Sequence, residues 1–385
     1  MKPILIDLSF VSKETVTTSI PIVIFRLLSG VKVSDRKNIR ILFDKDNSEF
    51  LHSLLPDYDY LTIEMYHNRK HGFDLRLLSI PFRYKRIVDK SGCSAVFCPS
   101  DGNVYSIFKP NIPEIIEIND LKRLKKDFGG YDISSGLWHK LTFFINKRSY
   151  SRIVHRAKLI FTISDYTKKD LIAYFPALDK EKISILYPSL SLSNSSKRPS
   201  SLQIDGDYIL DVNTITPSKN TLTLVKAYNH LSERDSYFLV LVGRATGYWD
   251  KTIVPYLKAH QLEEKVVLLQ NLSDEEIRYV YENASLFVTP SLHEGFGFTP
   301  LEAAICEVPV ICSKCESLPE VTQGLVHYYE PVEDEKALAN VIHDVLTNKP
   351  DKIELQSIAN RFNDSYSPIR QAERFMDIVR GRFGQ

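Results

Sequence analysis

Short runs of consecutive hydrophobic residues recur along the chain, and amphipathic stretches separate them. In the first half these runs occupy residues 4–10, 38–43, 60–66, 95–100, 113–118, 159–164 and 182–187. In the second half they occupy residues 208–213, 237–243, 265–270, 286–291 and 308–313. Strands that are hydrophobic on both faces and alternate with helices are typical of parallel sheets with helices on both sides. The pattern therefore predicts an α/β protein with one parallel sheet in each half.

A serine- and proline-rich stretch, PSLSLSNSSKRPSSLQIDGD at residues 188–207, interrupts this alternation. It contains few large hydrophobic residues, which favours a linker between two domains. A chain of 385 residues is long enough for two such domains. We therefore predict two Rossmann-like domains that face each other across a cleft, with the boundary near residue 190.

Composition narrows the class of protein further. The hydrophobic fraction of 43% and the charged fraction of 25% are those of a soluble globular protein. No hydrophobic run approaches the roughly 18 residues that a membrane-spanning helix needs. The N-terminal stretch MKPILIDLSFV lacks the cleavage site of a signal peptide, so we expect a cytoplasmic protein. Of the five cysteines, Cys312 and Cys315 have CxxC spacing, but no second pair completes a zinc site, which favours buried structural thiols.

The net charge of +1 hides an asymmetry between the halves. Residues 1–190 contain 30 Lys and Arg against 21 Asp and Glu, a net of +9, and residues 191–385 have a net of −8. The basic residues are interleaved with aromatic ones, most densely in LWHKLTFFINKRSYSRIVHRAK at 137–158. Such a face suits an anionic membrane surface or a lipid-diphosphate substrate. A solvated surface, or attraction between the two halves, explains it equally well, and no nucleic-acid recognition motif is present.

The segment SLHEGFGFTPLEAA at residues 291–304 carries the clearest candidate chemistry. It begins where the predicted strand 286–291 ends, and ligands of α/β sheets bind at that edge. Gly295 and Gly297 allow a sharp turn close to a ligand. Thr299, Pro300 and Glu302 have the spacing of an N-cap, a first helical residue and the third position of a capping box. A capping role alone would account for Glu302, but not for Glu294 before the glycines.

A nucleotide-diphosphate sugar accounts for both carboxylates. Amides at the turn and at the start of the helix form a site for a diphosphate. Glu302 can then accept hydrogen bonds from a ribose, and Glu294 can accept them from the sugar at the other end. Neither a GxGxxG fingerprint nor a GxxxxGK[ST] loop follows any predicted strand, which weakens the nicotinamide and ATPase alternatives.

At this point the sequence resembles a known family, the retaining GT-B glycosyltransferases of the GT4 type. EGFGFTPLEA matches the E-x7-E motif of that family, and DYILDVNTITPSKNTLTLVKAYNHL (207–231) resembles its strand, lysine loop and helix. LSDEEIRYVYENASLFVTPS (272–291) and PVICSKCESLPEV (309–321) flank the motif as they do in the family. PEIIEINDL (113–121) and LIFTISDYTKKDL (159–171) match in the first half. The resemblance covers most of residues 113–345.

The resemblance implies a GT-B fold and roles for individual residues. The domains would be 1–190 on the acceptor side and 191–366 on the nucleotide-sugar side, with a helix in 367–385 crossing back to the first domain. Glu294 would bind the donor sugar and Glu302 the ribose. Lys219 would neutralise the diphosphate as it leaves. The backbone of Gly295, Phe296, Gly297, Phe298 and Thr299 would bind the sugar and diphosphate.

The chain also departs from the family pattern at several positions. Asn119 stands where the family has a histidine that contacts the donor sugar, and Asn213 and Thr214 occupy the region of a family arginine. Arg244, after the strand 237–243, is our candidate to replace that arginine. Glu307 stands in place of a glycine. SFVSKETVTTS (9–19) replaces a glycine-rich loop, so the acceptor contacts there are open.

The implied reaction is metal-independent transfer of a hexose-type sugar, with retention, from a nucleotide diphosphate to a saccharide or lipid-linked saccharide. The sugar nucleotide is a co-substrate and no cofactor is expected. Surface polysaccharide assembly, at or near the inner face of a membrane, is the implied setting. Three alternatives remain open: a metal-dependent GT-A transferase using Asp44 and Asp46, a sugar-nucleotide epimerase of GT-B build, and a catalytically degenerate scaffold protein. The nucleotide base, the sugar and the acceptor do not follow from the sequence.

Overall fold

A computed structural model describes residues 2–65, 79–100, 108–125 and 137–384. Within them the strands are β1 (Ile4–Leu8), β2 (Ile39–Asp44), β3 (Asp59–Ile63), β4 (Ala95–Cys98), β5 (Glu114–Ile118), β6 (Leu159–Thr162), β7 (Ile183–Ile185), β8 (Asp207–Val212), β9 (Tyr237–Val242), β10 (Val266–Leu269), β11 (Leu286–Thr289), β12 (Val310–Ser313) and β13 (His327–Tyr329). The α-helices are α1 (Ser19–Gly30), α2 (Val33–Arg36), α3 (Ser48–Leu54), α4 (Ile80–Lys90), α5 (Leu137–Arg156), α6 (Asp165–Tyr174), α7 (Thr221–His230), α8 (Val254–Ala259), α9 (Asp274–Glu282), α10 (Phe298–Ile305), α11 (Leu318–Val321), α12 (Glu335–Thr347), α13 (Lys352–Ser365) and α14 (Pro368–Phe383).

The described residues divide into two compact units. The first comprises residues up to 124, residues 137–189 and residues from 366 onward. The second comprises Lys125 and residues 190–365. Each unit contains its own parallel sheet, because the hydrophobic runs that form the strands fall into two groups along the chain.

The first unit is built on a seven-stranded sheet in the order β3-β2-β1-β4-β5-β6-β7, and every neighbouring pair is parallel. All five residues of β1 and all four of β4 and β6 are buried. Such strands need helices on both faces, which is what their continuous hydrophobic runs predict. Residues of α1 and α14 complete the core on one face, including Leu27, Phe375 and Val379.

Helices α1 and α14 approach each other unusually closely within the first unit. A Cβ atom at Gly30 would lie 2.0 Å from the carbonyl oxygen of Pro368. The ring of Phe375 packs 5.2 Å from that of Phe97 in the sheet, and Ala372 and Met376 are also buried there. The last helix of the chain is therefore part of the core of the first unit.

The second unit is built on a six-stranded parallel sheet in the order β10-β9-β8-β11-β12-β13. Counted along the chain, this is the 3-2-1-4-5-6 order of a dinucleotide-binding Rossmann sheet. The direction of winding reverses between β8 and β11. From β8 the chain continues to β9 on one side of this point, and from β11 it continues to β12 on the other. Ligands of such sheets bind beyond the carboxyl ends of the strands at this point.

Several helices of the second unit and the last helix of the chain begin where the sequence supplies a cap. Ser273 accepts a hydrogen bond from the amide of Glu276, and the Glu276 carboxylate accepts one from the Ser273 amide, which completes a capping box for α9. Asp334 caps α12 through the amides of Lys336 and Ala337. Ser367 caps α14, with a proline following it at the first helical position.

The predicted strands and their parallel arrangement are confirmed, with ends that differ by one to three residues. The run 60–66 is shorter in the structure, since β3 ends at Ile63 and residue 66 lies outside the described residues. Strand β13 (His327–Tyr329) has no counterpart among the predictions, because three residues at a sheet edge carry no hydrophobic run. None of the helices in the described part of the chain has the length and hydrophobicity that crossing a membrane requires.

Candidate nucleotide-sugar site

Two loops meet at the point where the winding of the second sheet reverses. One follows β8 and contains a short 3₁₀ turn, Pro217–Lys219. The other follows β11 and contains Ser291 to Gly297. A backbone hydrogen bond of 2.9 Å from the Leu292 amide to the Ser218 carbonyl holds the loops together. The predicted lysine and the first predicted glutamate are thus brought to one place by strand order.

Lys219 and Glu294 form an ion pair across these loops. The ammonium of Lys219 donates to Oε1 of Glu294, and the same oxygen accepts a 2.8 Å hydrogen bond from the Ser291 hydroxyl. The Lys219 side chain is 21% exposed and that of Glu294 is 11% exposed. A pair held in a partly dehydrated place is screened less by salt than a surface pair. The lysine can exchange Glu294 for a diphosphate, and that exchange frees the carboxylate for hydroxyl groups.

The backbone around Glu294 is fixed by the loop that follows β12. The Glu294 amide donates to Oε2 of Glu316 at 2.8 Å, and the Ser317 hydroxyl donates to the Glu294 carbonyl at 2.7 Å. Ser317 also lies 3.0 Å from the carbonyl of Phe296. The other oxygen of Glu316 is 2.9 Å from Nδ1 of His293. Glu294 therefore has little freedom to move, which is what a binding carboxylate needs.

Glu316 is itself part of a small charged cluster. Oε1 of Glu316 accepts from the ammonium of Lys125 at 2.5 Å as well as facing His293. Glu316 adopts a left-handed backbone conformation with φ of 45°. A non-glycine residue in that region is uncommon and carries some strain. In this conformation the Glu316 carboxylate accepts the hydrogen bond from the Glu294 amide.

Helix α10 begins two residues earlier than the sequence predicts, so the predicted capping box is wrong. Gly297 is the N-cap, with φ of 98° and ψ of 73°, and no side chain caps the helix. A Cβ atom at Gly297 would lie 2.4 Å from Cδ2 of Leu318, so only glycine fits. Thr299 is the second helical residue. The amides at this start are therefore not covered by a capping side chain and remain suited to an anion.

Glu302 does not take part in capping α10. Its Oε2 accepts a 3.1 Å hydrogen bond from the hydroxyl of Tyr281, a buried residue of α9. Burial, together with the neighbouring Glu302 charge, raises the pKa of Tyr281 well above its usual range, so the phenol remains a donor. This bond fixes Glu302 one turn inside α10.

Asp211 lies in β8, near the Lys219–Glu294 pair, and is fully buried. Oδ1 accepts a 2.7 Å hydrogen bond from the side-chain Nδ2 of Asn213. Oδ2 has no hydrogen-bond partner among the described residues. Burial raises the pKa of Asp211 to about 7, against the lowering effects of Asn213 and Lys219. Glu294 raises it further. The sequence showed this acid inside a hydrophobic strand, but our sequence analysis gave it no role.

Gly243 follows β9 and brings that strand end close to β8. Its φ is 147°, and a Cβ atom there would lie 2.0 Å from the carbonyl oxygen of Asn213. Arg244 comes next and is exposed, and its carbonyl accepts a 3.1 Å hydrogen bond from the Ile215 amide. Arg244 thus lies at the same sheet edge as Asn213.

Asn119 follows β5 in the first unit. Its Nδ2 is buried and has no hydrogen-bond partner within the described ranges. The hydroxyl of Thr167 donates to its carbonyl at 3.4 Å. The other predicted site residues all belong to the second unit, whereas Asn119 belongs to the first.

The remaining candidates from the sequence have other surroundings. Asp44 is buried and accepts from the Met65 amide at 2.9 Å and from Asn47 at 3.2 Å, whereas Asp46 is exposed. Burial raises the pKa of Cys315 to about 12, as expected of an inert structural thiol. Across the described ranges, no group of three or more His, Cys, Asp and Glu side chains could hold a metal ion.

Comparison with known proteins agrees with the sequence motifs. The family model described as "Glycosyl transferases group 1" matches residues 194–362. The chain is 33% identical over 211 residues to O-antigen chain mannosyltransferase RfbU of Salmonella typhimurium, covering 55% of each chain. It is 34% identical over 195 residues to O-antigen chain mannosyltransferase B of Escherichia coli, covering 47% of this chain and 50% of the relative. The chain thus spans about half the length of these curated relatives.

Solved structures extend the likeness over the whole chain. Anabaena HepE in complex with UDP and glucose has a TM-score of 0.71 at 15% identity, covering 99% of this chain and 100% of that one. WaaG, a glycosyltransferase involved in lipopolysaccharide biosynthesis, has a TM-score of 0.67 at 15% identity, covering 98% and 100%. At such identities the likeness concerns the fold, which is GT-B with two Rossmann-like domains. A GT-A fold, and with it the transferase alternative based on Asp44 and Asp46, is excluded.

Proposed function

We propose that the protein is a retaining glycosyltransferase that uses a nucleotide-diphosphate sugar, because residues 194–362 match the model of the glycosyl transferases group 1 family. The observation that carries the proposal is the ion pair between Lys219 and Glu294 beside the uncapped start of α10. Lys219 suits a diphosphate, Glu294 suits sugar hydroxyls, and the amides at the start of α10 suit phosphate oxygens.

The roles follow the order of groups along such a donor. Glu294 accepts hydrogen bonds from the sugar hydroxyls, and Glu302, fixed by Tyr281, accepts them from the ribose. The backbone of Gly295 to Thr299 faces the sugar and the diphosphate. Asn119 supplies an amide to the donor sugar in place of the histidine that the resemblance would predict.

Catalysis rests on stabilising the charge that builds up on the leaving diphosphate. Breaking the bond between the sugar and the phosphate leaves an oxocarbenium-like sugar and an extra negative charge on the phosphate. Positively charged and N–H groups stabilise that charge. They are Lys219, the amides at the start of α10, and Arg244, which is exposed. The acceptor hydroxyl then attacks the anomeric carbon on the face that the phosphate leaves, and its proton passes to the leaving phosphate oxygen. Attack on this face retains the configuration.

A hexose-type donor and a saccharide or lipid-linked saccharide acceptor fit the relatives best. Two of them are named as mannosyltransferases of O-antigen chains, so a mannosyl donor is our first candidate and surface polysaccharide assembly the setting. These two relatives are named as transferases, which gives no support to the epimerase or scaffold alternatives.

A panel of donors tests the function directly. Thermal unfolding of the purified protein with GDP-mannose, UDP-glucose and UDP-galactose should show one donor that raises the midpoint, because a ligand that binds only the folded state stabilises it. That donor should be consumed with release of nucleoside diphosphate when a saccharide acceptor is added, and EDTA should not stop the reaction. Absence of a shift and of turnover with every donor would contradict the proposal.

We also propose that the first unit binds an anionic membrane surface through α5. Phe144 and Ile145 are 62% and 56% exposed, and Arg148 and Arg152 are exposed beside them. On the opposite side of the helix, Tyr150 and other residues are buried against the sheet. Exposed aromatic and aliphatic groups next to arginines suit the boundary of an anionic bilayer.

Flotation with vesicles tests the membrane proposal. The protein should float with vesicles that contain phosphatidylglycerol and not with pure phosphatidylcholine, and less so as salt rises. Replacing Phe144 and Ile145 by serine should abolish flotation. Val33→Ser, which removes a 77% exposed valine elsewhere in the same unit, should have no effect. Equal flotation of all three proteins would contradict a role of α5.

A further inference from the structure

A buried acid lies directly beneath the proposed donor site. Asp211 has no exposed surface, and its Oδ2 has no hydrogen-bond partner in the described parts of the chain. A buried carboxylate with an unsatisfied oxygen is costly, because water no longer stabilises its charge. A protonated carboxyl avoids most of that cost.

Charged groups face Asp211 from the elements around it. Lys219, in the turn after β8, is close enough for its charge to favour ionisation, and Glu294, in the loop after β11, opposes it. Tyr281 of α9 and Tyr329 of β13 face it too, and burial keeps the pKa of both phenols above their usual range. The tyrosines therefore stay neutral while Asp211 titrates.

The charge of Asp211 decides how firmly Lys219 is held. With Asp211 neutral, Lys219 and Glu294 form a pair with no net charge. With Asp211 ionised, one cation faces two carboxylates, and the group has a net charge of −1. A diphosphate must then draw the lysine from two anions and approach an extra negative charge.

We propose that Asp211 is a positioning residue that works as a neutral acid, leaving Lys219 free to turn from Glu294 to the donor diphosphate. This inference rests on the proposed function, since it needs a diphosphate at Lys219. Asn213, which donates to Oδ1, sets the point of ionisation because its hydrogen bond favours the charged form.

Binding of GDP and UDP, measured by calorimetry from about pH 6 to about 8.5, tests the inference. The wild-type protein should lose affinity for the nucleotide that binds, by roughly tenfold more over this range than Asp211→Asn, the effect of one added charge nearby. Turnover should show the effect in KM for the donor rather than in kcat. Asp44→Asn, which alters a buried acid of the first unit, should behave as the wild type does.

Thermal unfolding without ligand tests the neutral state of Asp211 separately. Burial raises the pKa of this group from 3.8 to about 7, so its contribution to stability is complete below about pH 4 and is lost as the pH rises to 7. The midpoint of the wild type should fall relative to that of Asp211→Asn over that window. Above it, the difference should stay constant.

A second variant keeps the inference testable if Asp211→Asn does not fold. Asn213→Ala removes the hydrogen bond that favours the charged form, so the loss of nucleotide affinity should move to higher pH. Superimposable pH curves for wild type and variants, in a protein that binds nucleotide and transfers sugar, would overturn the inference and leave the function intact. A protein that binds neither nucleotide would overturn both.

Discussion

Glu294→Gln should lower kcat by roughly 100- to 1,000-fold, the usual cost of losing one positioned group that acts on the transition state. The substitution keeps the size of the side chain and its contact with Ser291. It removes the negative charge that pairs with Lys219 and that we propose accepts hydrogen bonds from the sugar hydroxyls. The side-chain amide of the glutamine also brings N–H donors close to the Lys219 ammonium, which is itself a donor. Initial rates with the donor found in the panel provide the measurement.

A matched control separates this effect from a general change of charge. Glu330→Gln removes a carboxylate that is 65% exposed and pairs with Lys314 at 3.0 Å. A pair of this kind contributes little, about 0–1 kcal/mol, so its rate and stability should stay near those of the wild type. Full activity of Glu294→Gln, in a variant that unfolds at the wild-type temperature, would exclude a role for Glu294 in transfer.

Gly243→Ala should destabilise the second unit by roughly 3 kcal/mol or more, because it combines backbone strain with a clash. The new methyl group would lie 2.0 Å from the carbonyl oxygen of Asn213, and φ of 147° disfavours any side chain. Relief requires the ends of β8 and β9 to separate. Asn213, Asp211 and Arg244 would all move as a result, so donor affinity should fall together with the unfolding midpoint.

Gly247→Ala is the control four residues further along. No heavy atom lies within 4 Å of the position where its Cβ would be, and its φ is not in the left-handed range. Its unfolding midpoint should equal or slightly exceed that of the wild type, since alanine restricts the unfolded chain. If both variants unfold at the same temperature, the close approach at Asn213 does not contribute to stability.

The sheets could be predicted from the sequence because buried parallel strands leave a direct signal. Residues 95–98 and 286–288 are hydrophobic at every position, as strands covered on both faces require. Strand β13 was missed for the opposite reason, since its three residues at the sheet edge form no run. A strand could be predicted where its own residues form a hydrophobic run.

The start of α10 shows where local chemistry misleads. Thr299 and Glu302 satisfy the spacing of a capping box, yet the helix begins at Phe298. The start of the helix is set by Gly297, the N-cap, which has a left-handed conformation. Leu318, 21 residues further along the chain, leaves no room for a side chain there. Glu307 is a related case: the resemblance expects glycine there, and the glutamate adopts φ of 59°, the conformation that a glycine would supply.

The groups that hold Glu294 could not be predicted, because they come from other elements. Glu316 and Ser317 are more than twenty residues away along the chain and follow a different strand. Asp211 was visible as an acid in a hydrophobic strand, but its closeness to Glu294 depends on β8 and β11 being neighbours in the sheet. Sequence motifs predicted the residues that we propose bind the donor, and the fold supplies the groups that hold Glu294 in place.

The place of α14 in the core of the first unit has a consequence for biosynthesis. A ribosome releases β1 to β7 long before it releases Ala372, Phe375 and Val379, which that core needs. The nascent first unit must therefore wait, with part of its hydrophobic surface uncovered, while the 176 residues of 190–365 are made. The second unit can mature during translation, whereas the first is completed only after the last helix has left the exit tunnel.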